Sequence, residues 1–221
     1  MTSYDGSSLN QALEHLRAGG VIAYPTETVW GLGACADRAD AIDALRDWKG
    51  RGDDAPLAVL VSRPEAVEGL GCVVDRAAGG LMEAFWPGPL MLVIPCEARF
   101  APGVAGSNGA LGVRCSPHPI AGALARAVAT TGLGPLTSTS LNRSGDPPAL
   151  CLSDARALLE GAGGGARPLL VPPGAYDAGG GAPSTVIDCT GTSPVLLRDG
   201  AIPREDVEAV VGQALCTNVN R

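Results

Sequence analysis

The sequence predicts one α/β domain, and three observations support that prediction. The chain has 221 residues, enough to build one sizeable hydrophobic core. Hydrophobic residues make up 46% of it and charged residues 18%, a balance typical of globular proteins rather than disordered ones. Segments with helical periodicity alternate with short apolar runs of strand length, and no internal repeat or long linker interrupts them.

In the first half of the chain, four predicted helices alternate with three predicted strands. The first helix follows Ser7 and Ser8, either of which can cap its N-terminus, and it ends at Gly19–Gly20. The Trp-Pro-Gly-Pro segment at 86–89 ends the fourth helix, because proline cannot continue a helix. The helices are predicted near 9–18, 42–49, 64–70 and 75–85, and the strands near 21–24, 57–61 and 90–94.

The second half continues the alternation. It contains two glycine-rich stretches, 161–166 and 178–182, which we expect to be the most mobile segments. A strand at 135–138 passes into a polar loop, and a helix at 203–215 closes the fold. The remaining predicted elements are strands near 111–114, 168–171, 184–189 and 195–198 and a helix at 120–130.

Composition narrows the classes of function. A formal net charge of −7 argues against a broad phosphate-binding face, and an aromatic content of 4% argues against a base-stacking platform for single-stranded nucleic acid. The 7 cysteines include no CxxC pair, so we expect reduced, mostly buried thiols. Neither an apolar leader nor an apolar run of about 18 residues is present, and we expect a soluble, cytoplasmic protein without membrane contact.

Lys49 is the one lysine among 16 basic residues, which makes it a candidate for chemistry that arginine cannot perform. It stands two residues before Arg51, after a predicted helix and before a predicted buried strand. Two cations at this spacing can converge on a polyanion such as a phosphate chain. The alternative is an exposed loop in which they pair with Asp53 and Asp54, and the local sequence favours neither. We expect Lys49→Ala to cost little stability, because single exposed-loop cations contribute little.

Hydroxyl groups and arginines cluster at predicted strand ends, where α/β sheets commonly bind ligands. Segment 136–142 places four hydroxyls and an amide at the end of one strand, and Ser184 and Thr185 follow the second glycine-rich stretch. Buried hydroxyls in a central strand would need partners, which a ligand could supply, whereas in an exposed turn solvent would supply them. Arg114 and Arg198 end two further strands.

Two other motifs resemble ligand sites but do not meet the requirements of those sites. The Gly-Leu-Gly-Ala-Cys-Ala segment at 31–36 matches a relaxed dinucleotide-binding fingerprint, but residues 25–30 separate it from the preceding strand. The fingerprint needs its glycines in the strand-to-helix turn itself. Cys115 and His118 suggest a metal site, yet the chain has only 2 histidines and no other spaced ligands. His118 is better explained as the cap of the helix that starts there.

Seven segments, taken in order, resemble the YrdC-like family, the threonylcarbamoyl-AMP synthases. The stretch from Tyr24 to Gly33 resembles the family's PTETVYGLG motif, and Lys49-Gly-Arg51 followed by Pro56-Leu57 resembles its KxR motif. Each motif alone is weak evidence, but the set in family order is highly specific. The other matching segments are Phe85–Leu90, Gly112–Arg114 with His118–Pro119, Ser138–Ser140 with Asn142, Ser184–Val186, and Leu197–Arg198 with Gly200.

The resemblance implies a single twisted open α/β domain with a concave ligand cleft over residues 8–212 and a C-terminal tail at 213–221, as in the family's short form. It implies an enzyme that joins L-threonine, bicarbonate or CO2, and ATP with its Mg2+ into L-threonylcarbamoyladenylate and diphosphate. The product would feed the threonylcarbamoyladenosine (t6A) modification at tRNA position 37 through downstream tRNA threonylcarbamoyl-transfer proteins. Direct binding of tRNA or other RNA would be weak.

The resemblance also assigns roles to individual residues, and it assigns no metal ligand. Lys49 and Arg51 would be the catalytic pair that holds the ATP phosphates. The ATP site would be completed by Ser140, Asn142 and Arg198, and the threonine site would be formed by Thr26, Arg114, Ser138 and Ser184, with Arg114 meeting the threonine carboxylate.

Four positions depart from the family pattern. Leu141 stands where alanine is usual, and a larger side chain there would crowd the nucleotide. Leu60 falls where some longer members place a histidine near threonine. Trp30 replaces the usual tyrosine, and Gly52 replaces a common proline. The choice of amino acid is therefore less firmly implied than the adenylation chemistry.

Two alternatives stay open. One is a related carbamoyl-adenylate enzyme of another pathway, although such enzymes usually carry additional domains that 221 residues do not accommodate. The other, from a different class, is a non-catalytic module that binds double-stranded RNA, and the net charge of −7 weighs against it.

Overall fold

The computed structural model describes residues 6–50, 56–161, 167–177 and 179–217, and within them the chain forms ten strands and seven helices. The strands are β1 (Ile22–Tyr24), β2 (Gly31–Gly33), β3 (Ala58–Val61), β4 (Leu90–Pro95), β5 (Ala110–Cys115), β6 (Leu136–Ser140), β7 (Leu169–Leu170), β8 (Thr185–Asp188), β9 (Val195–Arg198) and β10 (Cys216–Thr217). The helices are α1 (Gly6–Arg17), α2 (Ala39–Lys49), α3 (Ala66–Gly69), α4 (Arg76–Phe85), α5 (Pro119–Thr130), α6 (Leu152–Glu160) and α7 (Arg204–Val211).

The ten strands form one mixed sheet with the order β10-β9-β8-β4-β5-β3-β6-β2-β1-β7. Four neighbouring pairs are parallel and five are antiparallel. Several neighbours are distant in sequence, as where β4 pairs with β8 and β3 with β6. Six of the seven described helices lie in connections between strands, and α1 precedes β1. The predicted α/β class is confirmed.

Two hydrophobic clusters lie on opposite faces of the sheet. In β3, Val59 and Val61 belong to the larger cluster and Leu60 to the smaller one, as expected where side chains alternate between faces. The larger cluster includes buried side chains of α2, α4, α6 and α7, and the smaller one those of α1 and α5. Helices therefore cover apolar surface on both faces.

Local sequence explains where two of the helices begin or end. α2 ends at Gly50, which has φ 63° and ψ 37°, a left-handed conformation that glycine adopts at little cost. α5 begins after His118, whose Nδ1 accepts a hydrogen bond from the Ile120 amide at 3.3 Å, and Pro119 occupies its first turn. The predicted capping role of His118 is confirmed.

The predicted strands are present with small shifts at their ends, but sequence patterns do not predict β2, α6 or β10. α7 is shorter than the predicted helix at 203–215, because Gly212 adopts φ 70° and ends it. Ser7 and Ser8 lie inside the first turn of α1 rather than at its cap. Residues 216–217 of the expected C-terminal tail form β10, which pairs in parallel with β9.

Two other expectations concern cysteines and membrane spans. All seven cysteines are free thiols, and five of them are buried, with Cys151 half-buried and Cys216 exposed. None of the described helices combines the length and the apolar composition of a transmembrane span. Of the two glycine-rich stretches, residues 162–166 and 178 lie outside the described residues.

β2 explains why the glycines at 31 and 33 do not form a dinucleotide fingerprint. They lie within a strand, where Gly31 pairs with Ser140 of β6, rather than in a strand-to-helix turn. A methyl group at Gly33 would overlap the carbonyl oxygen of Thr137. Glycine at 33 therefore permits the close approach of β2 and β6.

We expect Gly33→Ala to lower the free energy of unfolding by about 1–3 kcal/mol, because the added methyl must push β2 away from the backbone of β6. Chemical denaturation monitored by circular dichroism measures the change. Gly79→Ala is the matched control, because a methyl at this α4 position meets only Val74 at 3.8 Å. That control should gain about 0.5–1 kcal/mol. Equal stability of the two variants would contradict the prediction.

Candidate active site

A cleft of about 330 Å³ crosses seven adjacent strands of the sheet, from β9 to β2. The small residues Gly31 and Ala58 line it where it crosses β2 and β3, which leaves space above the sheet. The expected concave cleft is therefore present, and its volume lies in the usual range for small-molecule sites. Five predicted site residues line it: Arg114, Ser138, Ser140, Ser184 and Arg198.

Lys49, the last residue of α2, brings three predicted ATP-site residues into one cluster. Its Nζ donates to the Ser140 carbonyl at 2.6 Å, the Asn142 carbonyl at 3.1 Å and Asn142 Oδ1 at 2.9 Å. The Ser140 hydroxyl also contacts Asn142 Oδ1 at 2.7 Å, and Asn142 Nδ2 donates to the Asp146 carbonyl at 2.7 Å. The ammonium group thus fixes the turn that follows β6.

The expectation that Lys49 is an exposed-loop cation is wrong. Lys49 is only 3% exposed, because α2 extends to this residue and places its side chain against the end of β6. Three N–H donors meet three acceptors, which satisfies the ammonium group fully. Arg51, Asp53 and Asp54 lie outside the described residues, so their predicted contacts with a polyanion or with each other stay predictions.

Leu141 does not crowd the cleft, contrary to expectation. Its side chain is fully buried in the larger hydrophobic cluster. Its amide donates to the Trp30 carbonyl at 2.8 Å, and its carbonyl accepts from the Ala149 amide at 2.9 Å. These contacts keep the leucine in the core while the neighbouring Ser140 lines the cleft.

Arg114, near the end of β5, is 6% exposed and is held by several polar contacts at the cleft. Its Nη2 donates to Glu27 Oε1 at 2.6 Å and to Thr28 Oγ1 at 2.7 Å, and Thr26 Oγ1 lies 3.3 Å away. Its Nε is buried and has no hydrogen-bond partner among the described residues. A buried donor without a partner costs about 1–3 kcal/mol, which an anionic ligand could recover.

The Thr26–Thr28 loop between β1 and β2 holds the partners of Arg114. Thr26 Oγ1 donates to the Val29 carbonyl at 2.6 Å, and the two threonine hydroxyls lie 3.1 Å apart. The second glycine-rich stretch pairs with this loop, because the amides of Gly179 and Gly181 donate to the carbonyls of Thr26 and Thr28 at 3.1 and 3.2 Å. Thr26 is therefore buried behind the cleft rather than lining it.

Ser184 and Arg198 form the opposite wall. Arg198 donates from Nε and Nη2 to the Ser184 carbonyl at 3.0 and 2.8 Å. The Ser184 hydroxyl is buried and lacks a partner among the described residues, as does Arg114 Nε. Although the Arg198 residue is exposed as a whole, burial of its guanidinium and the nearby charge of Arg114 lower its pKa. Two cations therefore face the same cleft.

Asp177 ties the wall of the cleft to the neighbouring loops. Its carboxylate accepts from Trp30 Nε1 at 3.0 Å and from the Leu152 amide at 3.1 Å. Its carbonyl lies 3.3 Å from His118 Nε2. Burial lowers the pKa of His118, which favours the neutral ring with Nδ1 as acceptor and Nε2 as donor. His118 thus positions the cleft wall and helix α5 together.

Sequence patterns missed Glu27, Thr28 and Ser116 as members of the site. Glu27 and Thr28 stand within the stretch that resembles the family motif, which is the signal that could have identified them. Ser116 gave no signal, because its contact with Glu27 joins residues 89 positions apart.

Burial raises the pKa of Tyr24 to about 12, so its phenol is a hydrogen-bond donor at neutral pH and donates to the Thr137 carbonyl.

The charges of the cleft suit an anionic ligand. Arg114 and Arg198 face it, and Lys49 reaches it through Ser140. Within the described ranges, no group of three or more His, Cys, Asp or Glu side chains is placed to hold a metal ion. The arrangement can orient carboxylate or phosphate oxygens and stabilise negative charge that develops on them.

A family model named Sua5/YciO/YrdC and described as telomere recombination matches residues 14–200. The threonylcarbamoyl-AMP synthase of Bacillus subtilis is 37% identical over 95% of this chain, and this chain covers 58% of that protein. A putative threonylcarbamoyl-AMP synthase of Mycobacterium tuberculosis is 35% identical over 91% of this chain and is covered over 88% of its own length. The chain thus spans little more than half of the Bacillus relative.

A solved structure shows the same fold. The crystal structure of P. abyssi Sua5 complexed with L-threonine superposes with a TM-score of 0.82 and 32% sequence identity. The match covers 94% of this chain and 58% of that chain.

We expect Lys49→Ala to lower the free energy of unfolding by about 1–3 kcal/mol, because three partly buried acceptors each lose the ammonium group as a donor. Arg63→Ala is the control, since Arg63 is exposed and its closest approach to Glu65 is 4.0 Å. The control should change stability by less than about 0.5 kcal/mol. Urea denaturation of both variants tests this, and a Lys49 variant as stable as the Arg63 variant would contradict it.

Proposed function

The chain belongs to the Sua5/YciO/YrdC family, and on that basis we propose that it is a threonylcarbamoyl-AMP synthase. It joins L-threonine, bicarbonate or CO2, and ATP into L-threonylcarbamoyladenylate and diphosphate. One observation of the cleft supports this most directly. Arg114 Nε and the Ser184 hydroxyl are buried without partners among the described residues, and both residues line one cavity with Arg198. A small carboxylate would supply the missing acceptors.

The threonine site that we propose consists of Arg114, Ser138, Ser184 and Thr26. Arg114 binds the carboxylate through donors that Glu27 leaves open, and Ser138 and Ser184 offer hydroxyls from β6 and from the segment before β8. Thr26 does not line the cavity but supports Arg114. Its hydroxyl donates to the Val29 carbonyl and lies close to Arg114 Nη2.

The ATP site that we propose consists of Lys49, Arg51, Ser140, Asn142 and Arg198. Lys49 and Arg51 are its catalytic cations and bind the phosphates. Lys49 already has three acceptors, so a phosphate oxygen must replace one of them. The exchange keeps the ammonium group hydrogen-bonded throughout, which limits its energetic cost.

The reaction needs positioning and charge neutralisation rather than a protein nucleophile. The neutral amine of threonine adds to CO2, which gives a carbamate and releases one proton. A carbamate oxygen then attacks the α-phosphorus of ATP, and the bond to the bridging oxygen of diphosphate breaks. Cations at the cleft stabilise the charge that builds on the departing diphosphate. We propose that Mg2+ enters bound to the phosphates of ATP.

The proposal places the chain in tRNA modification. Its product would supply the threonylcarbamoyl group of t6A at tRNA position 37 through downstream transfer proteins, in the cytoplasm where ATP and tRNA meet. Direct contact with tRNA is a weak secondary interaction, given the net charge of −7. We propose residues 8–212 as the domain that carries this activity.

We expect the purified chain, incubated with ATP, Mg2+, L-threonine and bicarbonate, to release diphosphate at a rate that rises with the threonine concentration. A coupled diphosphate assay measures the release, and mass spectrometry identifies the adenylate. Omission of threonine is the control. The same rate of diphosphate release with and without threonine would contradict the proposal. A stronger response to another amino acid would favour a related carbamoyl-adenylate enzyme, and duplex RNA binding without turnover would favour an RNA-binding module.

Lys49→Arg should lower turnover by about tenfold or more, although it keeps the charge. A planar guanidinium cannot direct three donors at the compact set of acceptors that surrounds Nζ. Arg63→Lys is the control, because Arg63 is exposed and lies outside the cleft. Steady-state diphosphate release at saturating substrates measures both variants, and full activity of Lys49→Arg would refute the assigned role.

A further inference from the structure

The donors of Arg114 are divided unevenly between the protein and the cleft. A guanidinium has five N–H groups. The two on Nη2 are directed at Glu27 and Thr28. Nε is buried without a partner, and no described residue hydrogen-bonds Nη1. The protein therefore holds one corner of the guanidinium and leaves three N–H groups for another acceptor.

Glu27 is itself fixed and does not share the cleft with a ligand. Its Oε2 accepts a hydrogen bond from the Ser116 hydroxyl, and its Oε1 accepts from Arg114 at 2.6 Å. Its backbone is pinned by Gly179, where an added methyl would overlap the Glu27 carbonyl. The side chain is 18% exposed and does not line the cavity. These contacts make Glu27 a rigid support behind Arg114 rather than a competitor in front of it.

Glu27 also offsets the positive charge of Arg114, which lies near Arg198. Arg114 and Arg198 face the same cleft, and the charge of Arg114 contributes to the lowered pKa of Arg198. Two cations that share a cavity repel each other and tend to separate. A carboxylate bonded directly to Arg114 offsets that repulsion and keeps the guanidinium in place.

We propose that Glu27 is the positioning residue for the substrate carboxylate. It holds Arg114 by Nη2 so that Nε and Nη1 are presented to the carboxylate of an amino acid, and Ser116 in turn orients Glu27. This inference rests on the proposed function, because it concerns the same amino-acid site. It assigns a role to an acidic residue in a site that otherwise selects for an anion.

Glu27→Gln tests the inference, because the amide keeps the size and one acceptor oxygen but loses the charge. The KM for threonine should rise about tenfold or more, since small misplacements of a binding group have large effects. The kcat at saturating threonine and the KM for ATP should stay within about twofold, because the reacting atoms and phosphates are bound elsewhere. Glu65→Gln is the matched control, since Glu65 is exposed and lies outside the cleft.

Ser116→Ala provides an independent test that leaves both charges in place. It removes the second contact of Glu27 without touching Arg114, so it should raise the KM for threonine in the same direction but less. Glu27→Asp should restore part of the loss, because it keeps the charge on a shorter side chain. If Glu27→Gln fails to fold in a thermal denaturation assay, the Ser116 and Glu27→Asp variants still decide the question.

The outcomes separate this inference from the proposed function. An inactive wild-type chain that does not bind threonine in calorimetry would overturn the proposed function and this inference with it. An active wild type with an unchanged threonine KM in Glu27→Gln would overturn the inference alone. A lower threonine KM in that variant would show competition by Glu27, and equal losses in kcat and in both KM values would show a merely structural role. Either result would overturn the inference.

Discussion

The partly buried ion pair between Arg114 and Glu27 is the interaction on which the cleft depends. Removing a guanidinium from water is costly unless acceptors replace its hydration, and Glu27 with Thr28 supplies them at 2.6 and 2.7 Å. The replacement is incomplete, because Nε has no acceptor among the described residues. The hydrogen bonds that are made keep the Arg114 guanidinium in place. The donors left without an acceptor allow an anionic ligand to form additional hydrogen bonds.

The two walls of the cleft are built by different means around that pair. On one side the Thr26–Thr28 loop is held by backbone hydrogen bonds from Gly179 and Gly181, which works only because a glycine without a side chain can lie against the Glu27 carbonyl. On the other side Arg198 is fixed by the Ser184 carbonyl. Both walls connect directly to strands of the sheet, because the Thr26–Thr28 loop joins β1 to β2 and Arg198 ends β9.

The net charge of the chain and the local charge of the cleft have opposite signs. A net charge of −7 argues against a broad basic face, yet Arg114 and Arg198 line one cavity, and Lys49 hydrogen-bonds Ser140, which also lines it. Net charge is a sum over the surface, whereas a pocket responds to the few charges within hydrogen-bond reach. An acidic protein that concentrates cations in one cleft can therefore bind a carboxylate and phosphates there without attracting nucleic acid along its whole surface.

Periodicity and capping act within a few residues, so local patterns were enough to predict the α/β class, most strands and helices, the end of α2 at Gly50 and the capping role of His118. The three-dimensional structure was needed to show that β2 and β10 are strands, that Lys49 is buried and that Glu27 supports Arg114. Short strands exist through pairing rather than through their own pattern. The contacts of Lys49 with Asn142 and of Arg114 with Glu27 join residues 93 and 87 positions apart, which no local pattern specifies.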